Sequence, residues 1–223
     1  MLTPTSELDL AGMVRDAAGP LRIVGGGTRD YGRVGTGEVL SVAGLSGITL
    51  YDPGALTLVA QAGTPLAVIE AALAGANQRL AFEPMDHRAL LGTTGEPTLG
   101  GMVAANISGP RRVQAGAARD YLLGVRIVDG SGQIVKNGGR VMKNVTGLDL
   151  AKLMAGAHGT LGVLTEVAFK VLPQVAATST LELRGLADVR AVAAMAAGLG
   201  SPFEVTGAAH NPEAGVTDRK SVV

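Results

Sequence analysis

The stretch LRIVGGGTRDYG, residues 21–32, decides how the chain is read: a short apolar run enters three consecutive glycines and leaves through a threonine and a set of polar residues. That order is a strand running into a loop. Gly25, Gly26 and Gly27 carry no Cβ, so their backbone can take positive φ, approach a ligand closely and turn successive N–H groups into one anion-sized hollow. Thr28 can add a hydroxyl donor. An ordinary tight turn between two strands uses the same glycines, and the triplet alone does not separate the two readings. Two other glycine loops do not fit. The Rossmann fingerprint has a glycine three residues after its second, where this chain has Asp30, and a Walker A loop needs Gly-Lys followed by Ser or Thr, a tripeptide the chain lacks. If the loop takes phosphate, it does so as a bare glycine nest on another fold.

Composition narrows the function further. With 223 residues, 47% of them hydrophobic, the chain can bury a sizeable core. Glycine, at 33 residues, is about twice its usual share, so loops approached closely by backbone or ligand are expected. Lys plus Arg and Asp plus Glu are 19 each, which leaves no net charge to attract nucleic acid. The absence of cysteine excludes disulfides, cysteine-held zinc, iron–sulfur clusters and a cysteinyl cofactor link, and no metal centre is expected. No signal-peptide pattern opens the chain and no run approaches the ~20 apolar residues of a membrane span, so a cytoplasmic location is expected.

Along the chain, Thr5 or Ser6 can cap a first helix carrying Leu10, Met13, Val14 and Ala17 at helical spacing. Strands are expected at 39–42, 48–50 and 57–61. Gly63-Thr64-Pro65 opens a helix with Thr64 as cap and Leu66, Ile69 and Leu73 on one face. Residues 79–116 are too long and irregular for a connection. Apolar Leu99, Met102, Val103 and Ile107 speak against a fully solvated glycine-rich loop there, and a ligand-lining segment is favoured. Residues 123–129 and 133–136 flank Gly130-Ser131-Gly132 as a hairpin, and residues 162–173 alternate as a half-buried strand should.

The order GGGT, AGTPL, TLGGMVAANISG, RDYLLGVRIVDGSGQ and MKNVTGLDLAKLMAGAHGTLGVLTE resembles the FAD-binding domain of the vanillyl-alcohol oxidase and p-cresol methylhydroxylase (PCMH-type) superfamily. Within it, FEPMDH, SGPRR and the run 141–149 resemble the FAD-binding subunits of bacterial glycolate oxidases. The resemblance implies an α+β domain of two packed subdomains, over residues 1–174, with non-covalent FAD between them. It also implies that the glycine loop of Gly25, Gly26, Gly27 and Thr28 holds the pyrophosphate. Pro84, Thr98, Gly100 and Gly101 match positions near the flavin ring, Asn106, Ser108, Gly109 and Gly116 continue that lining, and Gly162 and Val163 match the adenosine end. Where members with covalent flavin carry a histidine, this loop has Thr28, Arg29, Asp30 and Tyr31. No catalytic residue is assigned: His87, Arg111 and Arg112 are weak candidates, and His158 more often has a structural role at such a position.

After Pro173 a strand, a helix capped by Asp188 with Val189, Val192 and Met195 on one face, and a further strand open a second α+β domain over residues 175–223. Residues 210–223 show no apolar period. The resemblance implies a longer chain, so the sequence reads as a truncated form or as a natural short paralogue. Two functions stay open. One is a flavoenzyme subunit passing electrons from glycolate or a similar 2-hydroxyacid through FAD to a second flavin subunit and an iron–sulfur subunit. The other is a non-catalytic FAD-binding electron-transfer or assembly subunit. Membrane association is expected only through such partners.

Overall fold

The computed structural model describes residues 1–32, 35–139, 147–203 and 205–222; most of the run 141–149 quoted above therefore lies outside the described residues. Helix α1 (Glu7–Arg15) starts where a cap was expected, the Ser6 hydroxyl accepting the N–H of Asp9 at 3.1 Å, and buries Leu10 and Ala11. β1 (Leu21–Val24) and β2 (Glu38–Ser41) pair in parallel, with the glycine loop leaving the end of β1. β3 (Ile48–Asp52) and β4 (Thr57–Gln61) follow, then α2 (Leu66–Gly75) and the short β5 (Gln78–Arg79). The glycine-rich segment carries four short helices, α3 (Arg88–Leu91), α4 (Leu99–Ala104), α5 (Arg112–Ala115) and α6 (Ala118–Tyr121). The hairpin of β6 (Leu122–Val128) and β7 (Ile134–Gly138), α7 (Leu150–Met154), β8 (Val163–Lys170) and β9 (Leu172–Pro173) come next. The chain continues through β10 (Thr178–Arg184), α8 (Asp188–Leu199), β11 (Val205–Asn211) and β12 (Val216–Val222).

The architecture is α+β. A five-stranded antiparallel sheet runs β3-β4-β8-β6-β7, and β8 is its centre. That position explains a difference from the sequence reading. β8 is buried on both faces for six of its eight residues rather than on alternate ones, and the one polar residue among the six, Thr165, has its hydroxyl satisfied by Glu7. Phe82, Phe169, Leu99, Met102, Ile69 and Leu73 fill the core on this sheet, all of them fully buried. A second cluster, with Leu10, Leu40, Val42, Leu45, Val128 and Val163, fixes the β1–β2 pair and α1 to one end of β6 and β8. Asp129 closes the hairpin by accepting the N–H groups of Ser131 and Gln133.

Four local expectations are corrected. Thr64 does not cap α2. The N-cap is Pro65, and the Thr64 hydroxyl is buried, donating to Gln61 O at 2.7 Å and accepting from Gly47 N at 2.9 Å, so it locks the turn before the helix. Asp188 is the first residue of α8 rather than its cap, and His210 Nε2 reaches its carboxylate at 3.2 Å. The face α8 buries runs through Ala191 and Gly198, whereas Val189 and Val192 are exposed, because only small residues permit close approach to β11. Finally, β12 lies between β10 and β11 in a three-stranded antiparallel sheet. Its buried anchor is Thr217, a β-branched polar residue that hydropathy overlooks.

The tie between α1 and the sheet gives a pH prediction. Glu7 accepts from Arg126 Nε at 3.1 Å and from the Thr165 hydroxyl at 2.6 Å. Burial alone would raise its carboxyl pKa, but these two bonds and the Arg126 charge outweigh it, and the value falls below the ordinary 4.5. A depressed carboxyl pKa stabilises the fold above the unfolded value and loses that contribution as pH drops through the folded one. Thermal melts between pH 7 and pH 3 are therefore expected to fall more steeply for the wild type than for Glu7→Gln. Parallel curves would mean that the pair contributes nothing.

Candidate functional site

The end of β1, the loop that follows it, α4 and residues 154–164 enclose a cleft of about 520 Å³. Its shape follows from residues without side chains. A Cβ on Gly26 would lie 1.5 Å from the carbonyl oxygen of Glu96, and one on Gly95 would lie 1.7 Å from that of Gly26. The two backbones thus pack directly on each other. Gly25 meets Thr98 Oγ1 in the same way, at 2.4 Å. Gly27 is different, for it adopts φ +67° with nothing within 4 Å of its would-be Cβ, so it requires glycine for its conformation rather than for space.

Thr28, Arg29, Asp30 and Tyr31 of this loop line the cleft, together with Arg22, Thr98 and His158. Among the described residues, none of the backbone N–H groups of Gly25, Gly26, Gly27, Thr28 and Arg29 donates to a protein acceptor. The first turn of α4, by contrast, is spent: Leu99 N–H goes to Thr64 O at 2.9 Å, Gly100 N–H to Ala62 O at 2.7 Å and Gly101 N–H to Thr98 Oγ1 at 3.3 Å. α4 contributes a smooth wall of Gly100, Gly101, Ala104 and Ala105, and the loop contributes the donors. Unpartnered N–H groups on residues that line a cleft suit an anion rich in acceptor oxygens.

Arg29 adds a full charge. Its Nε and Nη2 are buried and have no hydrogen-bond partner. Burial pushes the guanidinium pKa down and the Asp86 carboxylate opposes this, and an arginine so placed stays cationic. Asp86 is already engaged, taking Arg88 Nη2 at 2.8 Å and Nε at 3.0 Å, and those bonds hold its carboxyl below the usual range. Next to Arg29, the Tyr31 ring lies 6.3 Å from that of His87 and 6.2 Å from that of His158. His158 lines the cleft at φ +51°, while His87 does not line it and donates from Nδ1 to Met85 O at 3.0 Å.

Of the residues singled out from the sequence, the structure brings Gly25, Gly26, Gly27, Thr28, Thr98, Gly100, Gly101 and Gly162 together around this cleft. Six others lie outside its lining. Val163 is in the core, at 4% exposure. Gly109 packs against the carbonyl of Glu83, 2.0 Å from its would-be Cβ, and the Ser108 hydroxyl accepts from Arg112 at 3.1 Å. Asn106 and Gly116 border a separate cleft with Arg112, and Pro84 borders a third with Arg111. Neither candidate arginine reaches the glycine loop. Arg29 and Tyr31 are among the cleft residues that the sequence reading did not assign to the site. The available signal was a cation placed two residues after the last glycine of the loop.

A family model described as "FAD binding domain" matches residues 1–138. The chain is 47% identical over 163 residues to the glycolate oxidase subunit GlcE of Escherichia coli (strain K12), covering 73% of this chain and 45% of that protein. It is 35% identical over 142 residues to a D-lactate dehydrogenase of Anaerostipes hadrus, covering 63% of this chain and 28% of that one. The chain thus spans less than half the length of these relatives. Among solved structures, an alkyldihydroxyacetonephosphate synthase superposes with a TM-score of 0.72 at 21% identity, over 92% of this chain and 37% of that one, and shares the fold. A match covering well over half of the chain, with the glycine loop and its free N–H groups inside it, is decisive: the chain belongs to the FAD-binding-domain family.

Proposed function

We propose that this chain is the FAD-holding part of a 2-hydroxyacid oxidase or dehydrogenase, with glycolate as the first substrate to test. The row of unpartnered N–H groups from Gly25 to Arg29, beside the unpaired guanidinium of Arg29, carries the reading, because a pyrophosphate needs many donors and a positive charge in one place. Gly25, Gly26, Gly27, Thr28 and Arg29 would hold the diphosphate. Thr98, Gly100, Gly101 and Gly162 would let the remainder of the molecule lie against the backbone. Bound flavin supplies an acceptor for a hydride. The chain's own part is to fix that group and to keep water from it with Ala104, Ala105 and Met154.

The substrate class rests on relatives named glycolate oxidase subunit, D-lactate dehydrogenase and D-2-hydroxyglutarate dehydrogenase. One of them is named as a subunit, which supports a multi-subunit complex, and we assign a second flavin subunit and an iron–sulfur subunit as partners. An iron–sulfur relay would lie outside these 223 residues, which contain no cysteine. No helix among the described residues is long and apolar enough to cross a membrane. We further propose that residues 1–174 form the FAD-binding domain and that β10, α8, β11 and β12 open a second one. One observation favours the alternative of a non-catalytic flavin subunit: the only cations lining the cleft among the described residues are Arg22 and Arg29.

The flavin is expected to be non-covalent. Acid precipitation of the purified yellow protein should release the chromophore into the supernatant, whereas colour in the pellet would reveal a covalent link, with His158 the nearest histidine. Anaerobic glycolate should bleach the flavin of the assembled complex; a flavin that stays oxidised there would favour the non-catalytic subunit.

A further inference from the structure

Away from the glycine cleft, the third cleft, of about 470 Å³, is bordered by Glu70, Asn77, Arg79, Glu83, Arg111 and Thr178. Two guanidinium groups meet there over one carboxylate. Arg79 Nη1 lies 3.4 Å and Arg111 Nη1 3.7 Å from the same oxygen, Oε1 of Glu83. Arg111 is 93% buried, since only 7% of it is exposed. Its Nη2 donates to Gln114 at 3.2 Å, but its Nε and Nη1, like Nε of Arg79, are buried without a hydrogen-bond partner. Burial and the charge of Arg111 both push the Arg79 pKa down, so the two cations stand close enough to oppose each other. Buried charges are ordinarily paired and their N–H groups satisfied. Here one positive charge and three nitrogens are left over.

The backbone is also strained at this point. Glu83 holds φ +46°, a conformation unfavourable for any residue with a side chain, and it is kept there by its N–H to Leu80 O at 3.1 Å and by Gly109, whose N–H donates to Phe82 O at 2.9 Å. Such strain persists where the surroundings enforce a particular placement, here a carboxylate set between two arginines. Glu70, on the rim of the same cleft, forms no ion pair with Arg79 or Arg111 among the described residues, so it does not neutralise the surplus.

We propose that the Arg79–Arg111 cleft is a binding site for a small monocarboxylate. One surplus positive charge matches one carboxylate, and the two guanidinium groups that border the cleft, those of Arg79 and Arg111, supply its donors. A dianion such as hydrogen phosphate would meet Glu83 with an unbalanced second charge. The inference does not rest on the flavin reading, because none of these residues lines the glycine cleft.

Isothermal titration of the purified chain with sodium glycolate, sodium acetate and sodium phosphate, at one ionic strength, tests it. Glycolate and acetate are expected to bind once per chain. Arg79→Gln and Arg111→Gln should each weaken that binding by about tenfold or more. Glu83→Gln should tighten it, because the competing carboxylate is gone. Flavin content should not change in any of them, and Arg190→Gln, on an exposed residue of α8, should titrate like the wild type. Because losing the buried Arg111 can unfold the chain, Arg79→Gln and Glu83→Gln, at partly exposed side chains, decide the outcome once melts show them folded. No carboxylate binding, binding unchanged by Arg79→Gln, weaker binding in Glu83→Gln, or tighter binding of phosphate than of glycolate would each overturn the assignment.

Discussion

Gly26→Ala is expected to leave the protein without flavin and to lower its melting temperature by roughly 6–12 °C. The added methyl would stand 1.5 Å from the Glu96 carbonyl oxygen, and because Gly95 in turn meets the Gly26 carbonyl at 1.7 Å, neither backbone can retreat without moving the other. Overpacking against a flexible side chain costs about 1–3 kcal/mol, and against rigid backbone the upper end or beyond applies. Near 3 kcal/mol in a chain of this size corresponds to the stated shift. Gly27→Ala is the control. It meets nothing within 4 Å, and its cost is that of holding alanine at φ +67°, about 1–2 kcal/mol. Absorbance ratios of flavin to protein, with thermal melts, separate the two: the Gly26 variant should lose both stability and flavin, the Gly27 variant chiefly flavin affinity. Equal melting temperatures for the two would show that the loop does not pack as described.

Arg29→Met should move two measurements in opposite directions. In flavin-free protein it removes a cation with two buried, unpartnered nitrogens and leaves an apolar stem of similar length. Discounted for its partial exposure, the gain is on the order of 1 kcal/mol, or about 2–4 °C. FAD affinity should fall, because a hydrogen bond to a charged group contributes about 1.5–3 kcal/mol, a factor of roughly 10–100 in Kd. Reconstitution titrations and melts of the flavin-free form provide both numbers. A variant that loses stability and FAD affinity together would make Arg29 a structural residue of the loop and not a ligand of the cofactor.

How much of this was legible in the sequence depends on whether a residue's role is local. A cap at Thr5 or Ser6, the hairpin turn at Gly130-Ser131-Gly132 and the apolar stripe Leu66, Ile69 and Leu73 act through neighbours a few positions away, and all were readable. The glycine triplet was readable as a loop, but not the division of labour inside it, since the partner of Gly26 is Glu96, seventy residues on. For the same reason Gly109 and Gly116 looked like ligand-lining residues, although one makes room for Glu83 and the other for the Asp120 carboxylate. Thr217 anchors a central strand through a side chain that hydropathy scores as neutral. Arg29 escaped attention because a charged residue after a loop ordinarily faces water, and only the assembled cleft deprives it of partners.

The position of β8 bears on how the polypeptide matures as it leaves the ribosome. The hairpin β3–β4 and the hairpin β6–β7 are joined only through β8, which pairs with β4 on one side and β6 on the other. Until residue 170 is synthesised, the emerging chain holds two separate hairpins with unpaired edges and an open gap between them. The cleft wall that includes Gly162 and Leu164 arrives with the same strand. Vectorial synthesis therefore delays cofactor capture until the keystone strand is in place. Such late, long-range closure is intrinsically slow and leaves exposed edges at risk of mispairing, so nascent chains stalled before residue 163 should be protease-sensitive and colourless, and those stalled well beyond 170 compact.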